Sequence, residues 1–91
     1  MADIKITVHG TPNPSAAKFV VEGAALGEGS RSYFDREAAR GDRLAETLFD
    51  LAGVRALFIV DDFITVTKTE DAEWSELVSR IEETIISELA K

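Results

Sequence analysis

Apolar and polar residues alternate strictly over residues 4–9, with Ile4, Ile6 and Val8 interleaved by Lys5, Thr7 and His9. A period of two marks a half-buried strand, so the first three are expected to face a core and the others solvent. Gly10-Thr11-Pro12-Asn13-Pro14 stops the pattern. Two prolines fix their own φ, lack an N–H and disfavour helix in the residues before them, which predicts a shaped loop. Lys18-Phe19-Val20-Val21 is a second β-prone run. Residues 22–30 contain Gly23, Gly27 and Gly29 and predict an irregular connection. Ser32-Tyr33-Phe34 predicts a short strand.

Residues 35–41 open on Asp35 and close on Gly41, the pattern of a capped helical turn with a glycine stop. Asp42 is placed to cap the next helix, in which Leu44, Leu48 and Leu51 recur at helical spacing beside Ala45 and Ala52, with Gly53 as the stop. Val54–Val60 is apolar except for Arg55, and Phe63–Lys68 alternates again. With Asp61-Asp62 between them, the two runs predict a β-hairpin. In the last segment Trp74, Leu77, Val78, Ile81, Ile85 and Leu89 fall on one face at steps of three and four, with Ile86 at its edge. Asp71 is the expected N-cap, and Glu70 and Glu73 suit the positive end of the dipole. Such a stripe must lie on an apolar surface, and the sheet is the one available. The expected fold is a single two-layer α+β domain over residues 1–91: an antiparallel sheet with two main helices packed on one face.

Composition narrows the function. The chain has 91 residues, enough for one domain. Ten Lys and Arg against 17 Asp and Glu give a net charge of −7, a field that repels phosphate backbones and anionic membranes. Neither nucleic acid nor membrane is therefore expected as a partner. There is no cysteine, which excludes disulfides, thiolate metal sites and thiolate ligation of an iron–sulfur cluster. No signal-peptide pattern opens the chain, and a soluble, cytoplasmic protein is the expectation.

Local motifs for catalysis are missing. His9 is the one histidine, and the strand pattern points it outward. Asp61, Asp62, Glu70, Asp71, Glu73, Glu76, Glu82 and Glu83 read as turn, helix-start and solvated-face residues. Gly23, Gly27 and Gly29 form no phosphate loop, and Ser15, Ser30 and Ser32 sit in no nucleophile elbow. No enzyme activity and no metal site are expected. Two features remain. The Thr11-Pro12-Asn13-Pro14 loop with Lys18 offers hydroxyl, amide and ammonium groups on a rigid turn. Phe63 shares one strand face with Thr65 and Thr67, opposite Ile64 and Val66.

Thr11-Pro12-Asn13-Pro14, Lys18-Phe19, Leu44-Ala45 with Leu48-Phe49, Gly53-Val54, Phe58, Asp62-Phe63-Ile64-Thr65-Val66-Thr67-Lys68 and Trp74 occur in that order. Together they resemble the N-terminal domain of the Nfu/NifU-like iron–sulfur scaffold proteins. The resemblance implies a small α+β fold and a role in maturing iron–sulfur proteins. In the full-length family a separate C-terminal domain with a Cys-x-x-Cys motif holds the cluster, so no cofactor is expected on this chain itself. What the resemblance implies here is a non-catalytic interaction module. Its partners would be iron–sulfur assembly factors, a cluster-bearing Nfu domain or recipient apoproteins. The candidate contact residues are Thr11, Asn13, Lys18, Phe63, Thr65 and Lys68, the motif positions that core packing explains least. The alternative is a binder of a small anion or phosphorylated peptide, held by the amides of the proline loop, Thr11 and Lys18.

Overall fold

In the computed structural model, which describes residues 4–23, 26 and 29–90, the predicted alternations become five strands and the helical spacings two helices. The order is β1 (Lys5–Gly10), β2 (Ala16–Glu22), β3 (Arg31–Tyr33), α1 (Arg43–Phe49), β4 (Val54–Val60), β5 (Phe63–Lys68) and α2 (Trp74–Leu89). All pairings are antiparallel, and the sheet order is β1-β2-β5-β4-β3. Two hairpins, β1–β2 and β4–β5, are joined through the β2–β5 ladder, where Phe19 lies opposite Ile64 and Lys18 opposite Thr65. Both helices cover one face, as the patterning requires.

The core is the row Phe19, Ile64 and Ile59 running across β2, β5 and β4, with Val66 beside it, all without solvent contact. From above, α2 adds Leu77, Ile81 and Ile85, and α1 adds Leu44, Ala45 and Leu48. Full burial of each large aliphatic or aromatic side chain contributes about 1.5–3 kcal/mol before chain entropy is charged. Ile4, Ile6 and Val8 face the same side but stay half-buried, because β1 is an edge strand beyond the reach of the helices. Arg55 is polar within an apolar run because the β4–β5 register shifts between Val54 and Ala56. The bulge lets Val54 and Leu57 both face the core and sends Arg55 to solvent.

Asp42 ties the short edge strand to the first helix. Its Oδ1 accepts from the Ala45 N–H at 3.3 Å, the expected N-cap bond. Its Oδ2 accepts from Arg31 at 2.6 Å and from the Tyr33 hydroxyl at 2.8 Å. Arg31 also donates to the Leu26 carbonyl. β3 stops at Tyr33, one residue short of the expected Phe34, which is 79% exposed. Residues 35–41 form consecutive turns, with Asp35 accepting from the Ala38 N–H at 2.7 Å as the cap reading requires. Gly27 lies outside the described residues.

One expected cap is displaced. Asp71 is not the N-cap of α2; that position is Glu73, whose side chain makes no capping bond. A turn at Thr69, closed by Ala72 N–H to the Thr69 carbonyl at 3.2 Å, intervenes before the helix starts. Asp71 instead accepts from the Thr69 hydroxyl at 2.7 Å, and that bond holds its carboxyl below the usual carboxylate range. The turn packs against Gly53, which has φ 101° and no room for more: a Cβ there would sit 2.8 Å from the Ala72 Cβ.

Three outcomes follow for stability. Replacing Asp42 with Ala removes a cap and two side-chain bonds at once, and is expected to lower urea-unfolding stability by about 2–4 kcal/mol. Burial first, and the Asp42 carboxylate second, push the Tyr33 hydroxyl above its ordinary pKa of 10.0. A raised folded-state pKa gives stability that is fully present below the unfolded value and lost as pH climbs through the folded one. Alkaline titration of stability above pH ~10 should show this loss, and Tyr33→Phe should remove it. Gly53→Ala combines positive φ with the Ala72 clash and is expected to cost about 1–3 kcal/mol in the same unfolding measurement.

Candidate functional site

The strand alternation that buries Phe19, Ile64 and Ile59 sends their neighbours to the face without helices. Lys18 on β2, Thr65 on β5, Phe58 on β4 and Ser32 on β3 form one row across it. His9 extends the row at β1, opposite Lys18. Val20, Phe63 and Val60 form the next row. Lys18 Nζ lies 4.2 Å from the centroid of the Phe63 ring, a cation–π contact across the diagonal of the two rows. The Phe58 and Phe63 rings meet edge to face, with centroids 6.3 Å apart at 63°. Phe58 keeps 39% exposure. The result is a cationic, aromatic patch with the Thr65 hydroxyl set among its members.

Charge reinforces the patch. The five strands carry Lys5, Lys18, Arg31, Arg55 and Lys68, against Glu22 as their one carboxylate. Of these, Lys5 and Lys18 stand on the open face with Glu22 and Arg55 reaches solvent, while Lys68 and Arg31, the latter paired with Asp42, face the helix side. The other described carboxylates lie in helices, caps and turns, so the open face is locally cationic in a chain of net charge −7.

The proline loop is bonded to itself. Thr11 Oγ1 lies 2.8 Å from the Asn13 carbonyl and 3.0 Å from the Ala16 carbonyl, and accepts from the Asn13 N–H at 3.2 Å. Asn13 Oδ1 accepts from the Ser15 N–H at 2.9 Å, and the Asn13 carbonyl accepts from the Ala16 N–H at 3.0 Å. Two ties anchor the loop to the body. The Trp74 indole N–H donates to the Pro14 carbonyl at 3.0 Å, and the Lys68 N–H donates to the Ser15 carbonyl at 2.8 Å. Pro12 and Pro14 have no N–H to give, and those of Asn13, Ser15 and Ala16 are engaged. An anion would find few free donors in this turn.

Of the six candidate contact residues, the fold gathers Lys18, Phe63 and Thr65 into one patch. Thr11 and Asn13 shape the loop at the end of the β1–β2 hairpin. Lys68 ends β5 on the side opposite Phe63 and Thr65, where its ammonium donates to the Thr69 carbonyl at 3.3 Å. Phe58 belongs to the patch although the sequence did not single it out as a contact. Its signal was hidden because β4 is apolar on both faces; only the hairpin register, Phe58 opposite Thr65, reveals its side. Among the described residues no group of His, Asp and Glu is arranged to hold a metal ion, and no helix is long and apolar enough to cross a membrane.

The comparisons with known proteins agree with this architecture. A family model described as "Scaffold protein Nfu/NifU N terminal" matches residues 6–91. The chain is 45% identical over 71 residues to the Drosophila ananassae protein named NFU1 iron-sulfur cluster scaffold homolog, mitochondrial, covering 77% of this chain and 25% of that one. It thus spans about a quarter of the length of such relatives. Among solved structures, a NifU-like protein from Saccharomyces cerevisiae superposes with a TM-score of 0.84 at 30% identity, covering 96% of this chain and 79% of that one. A crystallographically solved Staphylococcus aureus protein gives a TM-score of 0.73 at 27% identity, over 89% and 98% of the two chains. With a family match over nearly its whole length and the same five-stranded, two-helix arrangement, the chain belongs to the Nfu/NifU N-terminal domain family.

Proposed function

We propose that this domain is a non-catalytic protein-interaction module for iron–sulfur cluster assembly or delivery. It presents the open face of its sheet to an assembly factor, a cluster-bearing Nfu domain or a recipient apoprotein. The observation that carries the reading is the Lys18–Phe63–Phe58 patch around Thr65. These side chains add nothing to the core on the other side of the sheet, yet they pack against one another in a fixed arrangement. Aromatic and cationic side chains held together at a solvated surface are the composition of an interface centre. The cluster is cargo in this scheme, carried by thiolates that this chain does not contain. Lys18, Phe63 and Thr65 act as direct contacts, joined by Phe58. Thr11 and Asn13 hold the loop that fixes the start of β2, and Lys68 sits at the far end of β5. An anion-binding role for the loop finds less support, since its bonded amides leave little to offer.

The roles separate in two measurements. Thr11→Val is expected to lower stability by about 1–2 kcal/mol through loss of the loop bonds, while Lys18→Ala changes it by less than about 1 kcal/mol. In affinity capture from native extract, the wild-type domain is expected to retain iron–sulfur assembly factors or cluster enzymes. The Lys18→Ala/Phe63→Ala double variant, with an unchanged thermal melt, is expected to lose them. Undiminished capture by that variant removes the patch from the proposal. Amide shifts confined to the loop on titration with phosphate would favour the anion-binding role instead.

A further inference from the structure

A second surface lies along β1, away from the aromatic patch. Val21 N–H donates to the Asp62 carbonyl and Lys68 N–H to the Ser15 carbonyl, so the odd-numbered residues of β2 bond towards β5. Its even-numbered residues must then bond towards β1. Their partners are Lys5, Thr7 and His9, opposite Glu22, Val20 and Lys18. The backbone N–H and C=O groups of Ile6 and Val8 consequently point outward from the sheet edge. Among the described residues β1 ends the sheet, and nothing is paired with them.

The side chains of the same two residues face the helix layer, where an open flank waits. α1 packs along one flank of α2, with Thr47 donating to Glu88 at 2.9 Å. The opposite flank of α2 carries Val78, Glu82, Ile86 and Leu89, and none of the four is buried. At its Val78 end, beside the end of β1 and the proline loop, lies a cavity of about 250 Å³, lined by Val8, Pro14, Ala17, Trp74 and Val78. A strand laid against β1 would therefore bond to Ile6 and Val8 and set every second side chain into this apolar flank. Its other side chains would stand beside Lys5, Thr7 and His9, with Glu22, Val20 and Lys18 one strand further in.

We infer that the β1 edge and the Val78 flank of α2 form a docking site for an extended segment of a partner protein that alternates aliphatic with acidic residues. Strand addition supplies main-chain bonds for affinity and alternate pockets for specificity. Lys5, the cation an incoming strand would meet directly, favours carboxylates on the solvent side, and Glu82 disfavours them on the helix side, which sets which face of the incoming strand is acidic. A second copy of this chain fits poorly. Antiparallel pairing about Thr7 would set Lys5 beside His9, and each copy brings a net charge of −7. The site is independent of the aromatic patch, so the two readings stand or fall separately.

The test uses a short capped peptide alternating glutamate with valine, and a matched peptide with lysine in place of glutamate. Trp74 is the one tryptophan and lines the cavity, so its fluorescence reports occupancy. The glutamate peptide is expected to change Trp74 emission and to slow hydrogen exchange at the Ile6 and Val8 amides. The lysine peptide is expected to bind at least about tenfold more weakly. Val8→Pro deletes an outward donor while sparing the β1–β2 ladder, a change edge strands accept, and should weaken binding about tenfold. Should that variant fail to fold, Val78→Glu tests the flank instead, with the same expected loss. Phe63→Ala should leave peptide binding intact. Equal binding of both peptides, no added protection at Ile6 and Val8, or a dimer that already protects those amides without peptide would overturn the inference.

Discussion

Phe19, Ile59, Ile64 and Val66 project from one side of the sheet and are wholly buried there, beneath Ile81 and Ile85 of α2 and Leu48 of α1. Strand geometry makes this burial one-sided: successive side chains alternate faces, so each residue sent into the core obliges its neighbour to face outward. The two helices cover the middle of one face of the five-stranded sheet and leave the other face in water. The aromatic patch is the reverse side of the core. Lys18 adjoins Phe19 in the chain, Phe63 and Thr65 flank Ile64, and Phe58 lies between Leu57 and Ile59. The rigidity of the inner row thus fixes the backbone from which the outer one projects, and the cation–π and edge-to-face contacts of Lys18, Phe63 and Phe58 complete the arrangement.

The helix layer is also too narrow for the sheet, and the two edges meet the shortfall differently. At β3 the edge is three residues long and is fastened to α1 through Asp42, which takes bonds from Arg31, Tyr33 and the Ala45 amide. A short, pinned edge offers little to an intruding strand. At β1 the edge has six residues and lies past the flank of α2, so Ile6 and Val8 remain half-buried. The same shortage of cover produces a closed edge where a polar hub exists and an open one where it does not.

Most of the fold was legible because it rests on periods. The alternation at residues 4–9 and in Phe63–Lys68, and the helical stripe from Trp74 to Leu89, specify elements and inward faces directly. Local chemistry was read as well: Asp42 caps α1 and Asp35 caps its turn, whereas α1 ends at Phe49, before the expected stop at Gly53, which lies in the following turn with positive φ. What escaped depends on distant partners. Asp71 has the side chain of an N-cap, but the turn at Thr69 claims it first. Phe58 sits in a run apolar on both sides, where periodicity is silent and only pairing with Thr65 assigns the face. Of the contact residues, Phe63 and Thr65 share a strand face visible in the alternation, while only the β2–β5 ladder brings Lys18 beside them. Thr11 and Asn13 were chosen for donors and acceptors that the folded loop uses itself.

The distribution of charge bears on why a domain without cluster ligands has this shape. Seventeen carboxylates on a small chain would by themselves make a solvating, partner-averse surface. With the other described carboxylates in the helices, caps and turns, the open face keeps Lys5 and Lys18 against Glu22. Because screening limits exposed charges to a range of about 8–10 Å, a partner meeting the sheet experiences the local lysines more than the net charge. The acidic exterior can therefore discourage self-association and unspecific contacts while the sheet remains receptive. The division leaves a small, rigid, cationic and aromatic face within an acidic surround.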